Sequence, residues 1–295
     1  MNVCLSMMCK NESAVIRETL RSVKPFINSW SILDTGSTDG TQDIILEEMK
    51  DILGALFEDG WKGWDRSRTQ CIQIAQQSGA DFIFVLDADE RVLGGKLPEL
   101  DPAKVYNVRV KYGDDGMVYS RPNILPAKFP WHYVGVTHEY LTADPQFPPT
   151  VQLDMVIQTR VKDTVERYHE DIRLLGEEFA KNPNDARTVF YLAQSYKDAG
   201  DPEKAIQFYE LRAQMGGWDE EVYISLLRIA QLKAHRRTLP EVVAAYVRAH
   251  QFRPSRAGET LSYLADFCQW WADGTVQPDD KLFVQTDRYH LKPAP

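Results

Sequence analysis

Residues 81–91 read DFIFVLDADER and indicate the fold more clearly than any other stretch of the chain. The apolar run has no polar alternation, which is typical of a strand buried on both faces of a parallel sheet. Asp87 and Asp89 follow it two residues apart, so they point the same way if the strand continues through them. Open α/β sheets bind ligands at the carboxyl ends of their strands, and two carboxylates there favour Mg²⁺ or Mn²⁺. The stretch therefore predicts an α/β sheet with a metal site at its edge.

The rest of the first 160 residues alternates in the same way between strand-like and helix-like segments. We predict strands at 3–9, 30–33, 52–57 and 151–157, and helices at 12–23, 41–50 and 65–77. The turn residues 113–116, GDDG, predict a β-hairpin between 105–112 and 117–121 that extends the sheet. Together these segments predict a mostly parallel α/β sheet with flanking helices, which ends near Asp163.

Beyond residue 163 the chain is helical and repetitive. An aliphatic residue followed by alanine recurs at steps of 37 and 35 residues, at Leu192-Ala193, Ile229-Ala230 and Leu264-Ala265. This period is close to the roughly 34 residues of tetratricopeptide repeats, and residues 164–272 resemble two to three of them. We therefore expect an α/β domain at 1–162 and an all-α tetratricopeptide-like helical repeat domain with a C-terminal tail at 163–295.

Composition and charge exclude several classes of protein. The 295 residues, 43% of them hydrophobic, suffice for two folded domains. A net charge of −9 disfavours a general affinity for nucleic acids or anionic membranes. The four cysteines form no C-x-x-C pair, which indicates reduced thiols. No apolar run approaches the roughly 18 residues that span a bilayer, and the first residues are unlike a signal peptide. We expect a cytoplasmic protein without a transmembrane segment.

Four motifs follow one another along the N-terminal part: MCKNE at 8–12, DTGSTDGT at 34–41, WKGW at 61–64 and DADE at 87–90. In this order they resemble family 2 glycosyltransferases of the GT-A fold. The similar subgroup includes some bacterial lipopolysaccharide-core enzymes and enzymes fused to tetratricopeptide repeats. The resemblance implies a GT-A-like sheet and a hexosyltransferase that needs Mn²⁺ or Mg²⁺. It also implies that a sugar moves, with inversion, from a nucleotide-diphosphate sugar, with UDP the expected nucleotide, to an acceptor hydroxyl.

The resemblance assigns roles to individual residues by position. Those expected to bind the donor are Asn11, Glu12, Asp34, Arg68 and Asp87, and those expected to hold the metal are Asp87, Asp89 and His138. Arg68 is expected near the diphosphate, with Lys62 and Arg66 as alternatives. Thr69 stands where relatives often carry Asn, so the contact around it is expected to differ here.

Residues 131–140, WHYVGVTHEY, resemble the late His-Glu element of the same subgroup. An inverting displacement needs a base on the acceptor side that takes the hydroxyl proton. Glu139 is the expected base, and Asp89 is expected to take part in catalysis through the metal. His138 is either a third metal ligand or a phosphate contact. Asp114 and Asp115 remain alternative bases.

Other functions and several partners remain open. A nucleotidyltransferase of related fold needs a glycine-rich basic loop after the first strand, and residues 7–10, MMCK, contain no glycine. A non-catalytic scaffold would use the helical repeats to bind a peptide or protein. For the enzyme, the acceptor is a glycan, a lipid-linked core, a peptide side chain or a modified DNA base. The repeats would then present the acceptor, bind a protein partner or form a homo-oligomer, and Trp61 and Trp64 either line a sugar pocket or pack in the core.

Overall fold

The structure is a computed structural model that describes residues 1–113, 118–160, 165–235 and 238–273. The chain divides into two compact units, Met1–Asp163 and Thr164–Pro295. In the described residues, the first unit combines a β-sheet with helices and the second is helical.

The first unit contains a mixed sheet of eight strands. Its strands are β1 (Val3–Cys9), β2 (Ser29–Asp34), β3 (Leu53–Glu58), β4 (Phe82–Val85), β5 (Arg91–Gly95), β6 (Val105–Tyr112), β7 (Val118–Pro126) and β10 (Thr150–Thr159). A separate antiparallel ribbon is formed by β8 (Trp131–Val134) and β9 (Tyr140–Ala143). The sheet order is β3-β2-β1-β4-β7-β6-β10-β5, and β5 and β7 run opposite to the other six strands. The carboxyl ends of β1, β2 and β4 therefore meet at one edge.

Helices cover both faces of this sheet: α1 (Ile16–Val23), α2 (Thr41–Met49) and α3 (Trp64–Gln76). Successive residues of a strand point to opposite faces. In β4, Phe82 and Phe84 belong to the core that includes residues of α1 and α2. Ile83 and Val85 belong to a second core, with residues of α3 and of the β8–β9 ribbon. Both faces of β4 are buried, which is why its sequence shows an unbroken apolar run.

The predicted α/β sheet with flanking helices is confirmed, although several elements differ from the prediction. Helix α1 begins at Ile16 and not at residue 12, because the Glu12 carbonyl accepts hydrogen bonds from the N–H groups of Val15 and Ile16 in a turn. Strands β6 and β7 pair antiparallel as predicted, and residues 114–117 of their turn lie outside the described residues. The sequence pattern predicts neither β5 nor the β8–β9 ribbon.

The second unit has six α-helices in its described residues, and consecutive helices pack on each other. They are α4 (Val165–Lys181), α5 (Ala186–Asp198), α6 (Pro202–Met215), α7 (Asp219–Ala234), α8 (Leu239–Phe252) and α9 (Ala257–Asp273). The repeated alanines Ala193 and Ala230 are fully buried between helices, whereas Ala265 on α9 is exposed. No helix in the described part of either unit has the length and apolar character of a membrane span.

Candidate active site

Asp87 and Asp89 lie in a turn that follows β4 at the carboxyl edge of the sheet. Strand β4 stops at Val85, whose carbonyl accepts a hydrogen bond from the side-chain amide of Asn123 on β7 at 2.8 Å. The strand therefore does not continue through the two acids. The condition under which Asp87 and Asp89 would point the same way, a strand that continues through them, is therefore not fulfilled.

The turn itself is held by two side chains. The Glu90 carboxylate accepts a hydrogen bond from the Asp87 N–H at 3.1 Å. The Thr19 hydroxyl of α1 donates to the Ala88 carbonyl at 2.9 Å. The acidic turn is thus fixed by the first helix and by its own buried glutamate, which is only 1% exposed.

Two arginines and three carboxylates form an ion-pair cluster beside this turn. Arg68 of α3 places Nη1 2.6 Å from Asp87 Oδ1 and Nε 2.5 Å from Glu139 Oε1. Arg121 of β7 places Nη2 2.5 Å from Glu90 Oε2 and Nη1 3.6 Å from Asp87 Oδ2. The structure therefore brings together Arg68, Asp87 and Glu139, which the resemblance assigns to one site, and adds Arg121 and Glu90.

The Arg68 guanidinium lies between aromatic rings. Its central carbon is 5.9 Å from the centre of the Trp64 ring and 5.7 Å from that of Tyr133. The approach of Nε to Glu139 does not have the geometry of a hydrogen bond, and Nε is a buried polar atom without a hydrogen-bond partner. The contact with Glu139 is an ion pair without directed hydrogen bonding at that nitrogen.

The cluster shifts the pKa values of its acids in opposite directions. Burial raises the pKa of Asp87, but the charges of Arg68 and Arg121 outweigh it and hold that pKa well below its usual range. Burial raises the pKa of Glu90 to about 7, because the Arg121 charge offsets only part of the effect. The pKa of Glu139 is also raised by burial, with Arg68 opposing the shift. Asp87 is therefore ionised at neutral pH, while Glu90 titrates near neutrality.

A small pocket, open to solvent, lies beside the cluster. Its lining includes Ser6 and Met8 of β1, Arg68, Asp87 and Tyr133. Parallel strands of an open sheet bind ligands at this edge, and the pocket offers a cation, a carboxylate and an aromatic ring to an incoming molecule.

The loops after β1 and β2 are joined by hydrogen bonds, and two predicted donor-binding residues lie here. The N–H groups of three consecutive residues, Asn11, Glu12 and Ser13, donate to the side chains of Ser37, Thr41 and Asp39 at 2.8, 2.8 and 3.0 Å. Asn11 has a left-handed φ of 55°, which Asn adopts more readily than most residues. The structure places Asn11 and Glu12 at the same sheet edge as the acidic turn, and their role toward a donor remains a prediction.

Asp34, at the end of β2, is fully buried. Its Oδ1 accepts hydrogen bonds from the N–H groups of Gly36 and Ser37 at 2.8 and 2.7 Å and from the Gln42 side chain at 3.2 Å. Burial alone would raise the pKa of Asp34, but these hydrogen bonds lower it below the usual value. In this conformation Asp34 organises the loop that follows it.

The structure distinguishes among the three basic candidates of the WKGW region. Lys62 is exposed and pairs with Asp59 at 2.6 Å, and Arg66 is exposed, whereas Arg68 reaches Asp87 and Glu139. Thr69, where relatives often carry Asn, accepts a hydrogen bond from the Tyr133 N–H at 2.8 Å. Its hydroxyl therefore connects α3 to β8.

The three expected metal ligands do not form a cluster. Among the described residues, no group of three or more His, Cys, Asp and Glu side chains is arranged to hold a metal ion. Asp87 faces two guanidinium groups, Asp89 is half-buried in the turn, and His138 has a left-handed φ of 50° between β8 and β9. The grouping of Asp87, Asp89 and His138 around one ion stays a prediction. The remaining donor chemistry, carboxylate oxygens at an open edge, still fits a cation that shares its ligands with phosphate oxygens.

Sequence reasoning missed Arg121 and Tyr133, and it missed that Glu90 is buried and paired with Arg121. Arg121 lies near the start of β7, a strand that runs opposite to β4 and so begins at the edge where β4 ends. The sequence signal that could have indicated Arg121 is its position in the second strand of the predicted hairpin. The alternative bases Asp114 and Asp115 lie outside the described residues.

Comparison with known proteins shows a likeness of the N-terminal unit to one family. Residues 4–139 match the family described as glycosyl transferase family 2. The match covers most of the N-terminal unit, though less than half of the whole chain, so the N-terminal unit is similar to that family.

Individual proteins that resemble the chain either match only a short part of it or have low sequence identity. A TPR repeat-containing protein of Synechococcus elongatus is 34% identical over 91 residues, which are 31% of this chain and only 21% of that protein. The crystal structure of S. aureus TarS 1–349 in complex with UDP aligns over 96% of this chain and 95% of its own, at 12% identity and a TM-score of 0.42. The structure of S. aureus TarS aligns over 96% of this chain and 57% of its own, at 10% identity and a TM-score of 0.40.

Proposed function

We propose that the N-terminal unit is a glycosyltransferase that moves a hexose from a UDP-linked sugar to an acceptor hydroxyl, with inversion and with the help of Mn²⁺ or Mg²⁺. The observation that carries the proposal is Arg68, a largely buried cation at an open pocket with one carboxylate on each side of it. Such a cation suits a diphosphate, and the match of residues 4–139 to glycosyl transferase family 2 supports a nucleotide-sugar as its source.

On the donor side, Arg68 would contact the diphosphate while Asp87 keeps the neighbouring Arg121 as a counterion. Asn11 and Glu12 follow β1, Asp34 ends β2, and all three are proposed to bind the nucleoside and ribose. Asp89 and Asp87 would hold the divalent cation together with the donor phosphates, with His138 proposed as a further contact to ion or phosphate. When bound, the cation offsets the negative charge that develops on the departing diphosphate.

On the acceptor side, Glu139 is proposed as the base. Its carboxylate takes the proton from the acceptor hydroxyl as the hydroxyl oxygen forms its bond to the anomeric carbon. The bond from that carbon to the phosphate oxygen breaks on the opposite face, and the nucleoside diphosphate leaves with the electron pair. Burial raises the pKa of Glu139, so its ionised form is a stronger proton acceptor than an exposed glutamate.

The acceptor and the role of the second unit are proposed only by class. The acceptor is a glycan, a peptide side chain or a modified base, and the helical repeats would present it, bind a protein partner or join two copies of the chain. A binding protein without catalysis is the competing proposal for the whole chain.

The proposed function is tested by nucleotide binding and donor hydrolysis. UDP with Mn²⁺ should raise the unfolding temperature, and a chelator should reduce that shift. In a screen of nucleotide sugars with Mn²⁺ or Mg²⁺, Asp89→Ala should lose release of free sugar by at least about tenfold while its unfolding temperature without ligand stays near that of the wild type. Wild-type turnover by Asp89→Ala would remove the metal assignment, and no binding of any nucleoside diphosphate would favour the non-catalytic alternative.

A further inference from the structure

Arg68 joins the two carboxylates that the proposed reaction uses at different moments. Its Nη1 lies 2.6 Å from Asp87 Oδ1, on the donor side, and its Nε lies 2.5 Å from Glu139 Oε1, on the acceptor side. All three side chains are largely buried, with exposed fractions of 18%, 24% and 12% for Arg68, Asp87 and Glu139. One guanidinium therefore compensates both acids before any ligand is bound.

The two carboxylates differ in whether a second cation lies beside them if Arg68 moves away. Asp87 keeps Arg121, whose Nη1 is 3.6 Å from Asp87 Oδ2. Among the residues that the structure describes, Arg68 is the cation paired with Glu139, and no second one is found there. Loss of Arg68 thus leaves Asp87 compensated and Glu139 uncompensated.

The contact with Glu139 lacks the hydrogen-bond geometry of the contact with Asp87. Arg68 donates a hydrogen bond to Asp87 through Nη1, whereas Nε is buried without a hydrogen-bond partner. A buried donor that makes no hydrogen bond is costly, and a phosphate group offers a guanidinium two well-directed acceptor oxygens. A diphosphate in the adjoining pocket would therefore compete well with Glu139 for Arg68.

We propose that Arg68 is a positioning residue that exchanges Glu139 for the donor diphosphate. The exchange frees the Glu139 carboxylate for the acceptor hydroxyl only after the donor has bound. This inference rests on the proposed function, because it takes the diphosphate and the base from it. It adds an order of events: in the absence of donor, the base is held in an ion pair.

The test compares UDP affinity across variants by isothermal titration calorimetry, with uridine as a ligand that lacks the diphosphate. Glu139→Gln keeps the shape of the side chain but removes the charge that competes for Arg68. UDP should bind this variant about threefold to tenfold more tightly than the wild type, whereas uridine affinity should not change. If Glu139 instead made a favourable contact with UDP, Glu139→Gln would weaken UDP binding.

A second background separates the exchange from a general effect of removing negative charge. In Arg68→Gln, the further change Glu139→Gln should leave UDP affinity within about 1.5-fold, since no guanidinium is left to release. If Arg68→Gln does not fold, Arg68→Lys replaces it, because a single ammonium cannot bridge in the same way.

Two results would overturn the inference: unchanged or weaker UDP binding by folded Glu139→Gln, or tightening that persists without Arg68. If the wild type binds no UDP, the proposed donor is wrong and the inference falls with it. Binding by the wild type without tightening in Glu139→Gln contradicts the exchange alone.

Discussion

Thr69 stands where the subgroup that the chain resembles often carries Asn, and in the structure its side chain connects two elements. Its hydroxyl accepts from the Tyr133 N–H, so it fixes the start of the β8–β9 ribbon on α3. Glu139 lies immediately before β9 of this ribbon, and Arg68 is the neighbour of Thr69 in α3. A single hydroxyl therefore helps to set the distance between Arg68 and Glu139.

Replacing that hydroxyl should cost stability. In Thr69→Val the Tyr133 N–H loses its acceptor in a partly buried place, and we expect the free energy of unfolding to fall by about 1–2 kcal/mol. Thr69→Ser keeps the acceptor and should stay within about 0.5 kcal/mol of the wild type. Urea unfolding measures both, and equal stability of the two variants would contradict the role given to this hydrogen bond.

Single residues also show how far sequence reasoning reaches into the site. The resemblance assigns Asp87, Arg68 and Glu139 to one site, and in the structure Arg68 contacts both acids. Arg121 was not selected, because its contact with Asp87 depends on the pairing of β4 with a strand more than thirty residues later. Local patterns carry no information on such long-range pairing.

At the scale of elements, β3 forms an edge of the sheet and approaches β2 very closely. Gly54 of β3 is opposite Trp30 of β2, and a Cβ atom at residue 54 would lie 2.3 Å from the Trp30 carbonyl oxygen and 2.4 Å from its Cγ. The absence of a side chain at this position lets the two strands pair with the Trp30 ring in place.

Gly54→Ala should therefore destabilise the first unit. The added methyl group forces a shift of Trp30 or of the strand, and overpacking of this kind costs about 1–3 kcal/mol. Gly60→Ala is the matched control, because nothing lies within 4 Å of a Cβ there. Thermal or urea unfolding compares them. A loss in Gly60→Ala as large as in Gly54→Ala would show that the close approach is not the cause.

Elements were predictable where one face or both are continuously apolar. Strands β1 and β4 and helices α2 and α3 were predicted within one residue at most boundaries, because their residues are buried in two cores. Strand β5, which reads RVLGG, and the short ribbon strands have too little apolar pattern to be recognised. Their pairing is decided by tertiary contacts, as with β5 against β10.

For the whole molecule, the buried glutamate of the acidic turn links stability to pH. Burial raises the pKa of Glu90 to about 7, above the value of about 4.3 expected in an unfolded chain. Between these values the folded state holds a proton that the unfolded state has lost. The stability contributed by this group is therefore full below about pH 4.3 and is lost as the pH rises through about 7.

Glu90→Gln removes this titration and resembles the protonated acid. The difference in unfolding free energy, variant minus wild type, should become more favourable to the variant as the pH rises from 5.5 to 8. Urea unfolding at several pH values measures that difference, in which the contributions of other groups largely cancel. A difference that is flat or falls with pH would contradict the raised pKa of Glu90.

The hydrogen bonds between the loops after β1 and β2 have a consequence for molecular recognition. Three consecutive amides, of Asn11, Glu12 and Ser13, are already committed to side chains of the neighbouring loop. A molecule captured at this border would find the backbone organised in advance and would pay little conformational entropy to order it. Differences in binding free energy between ligands there would then be largely enthalpic, because they would depend on the hydrogen bonds that each ligand can form.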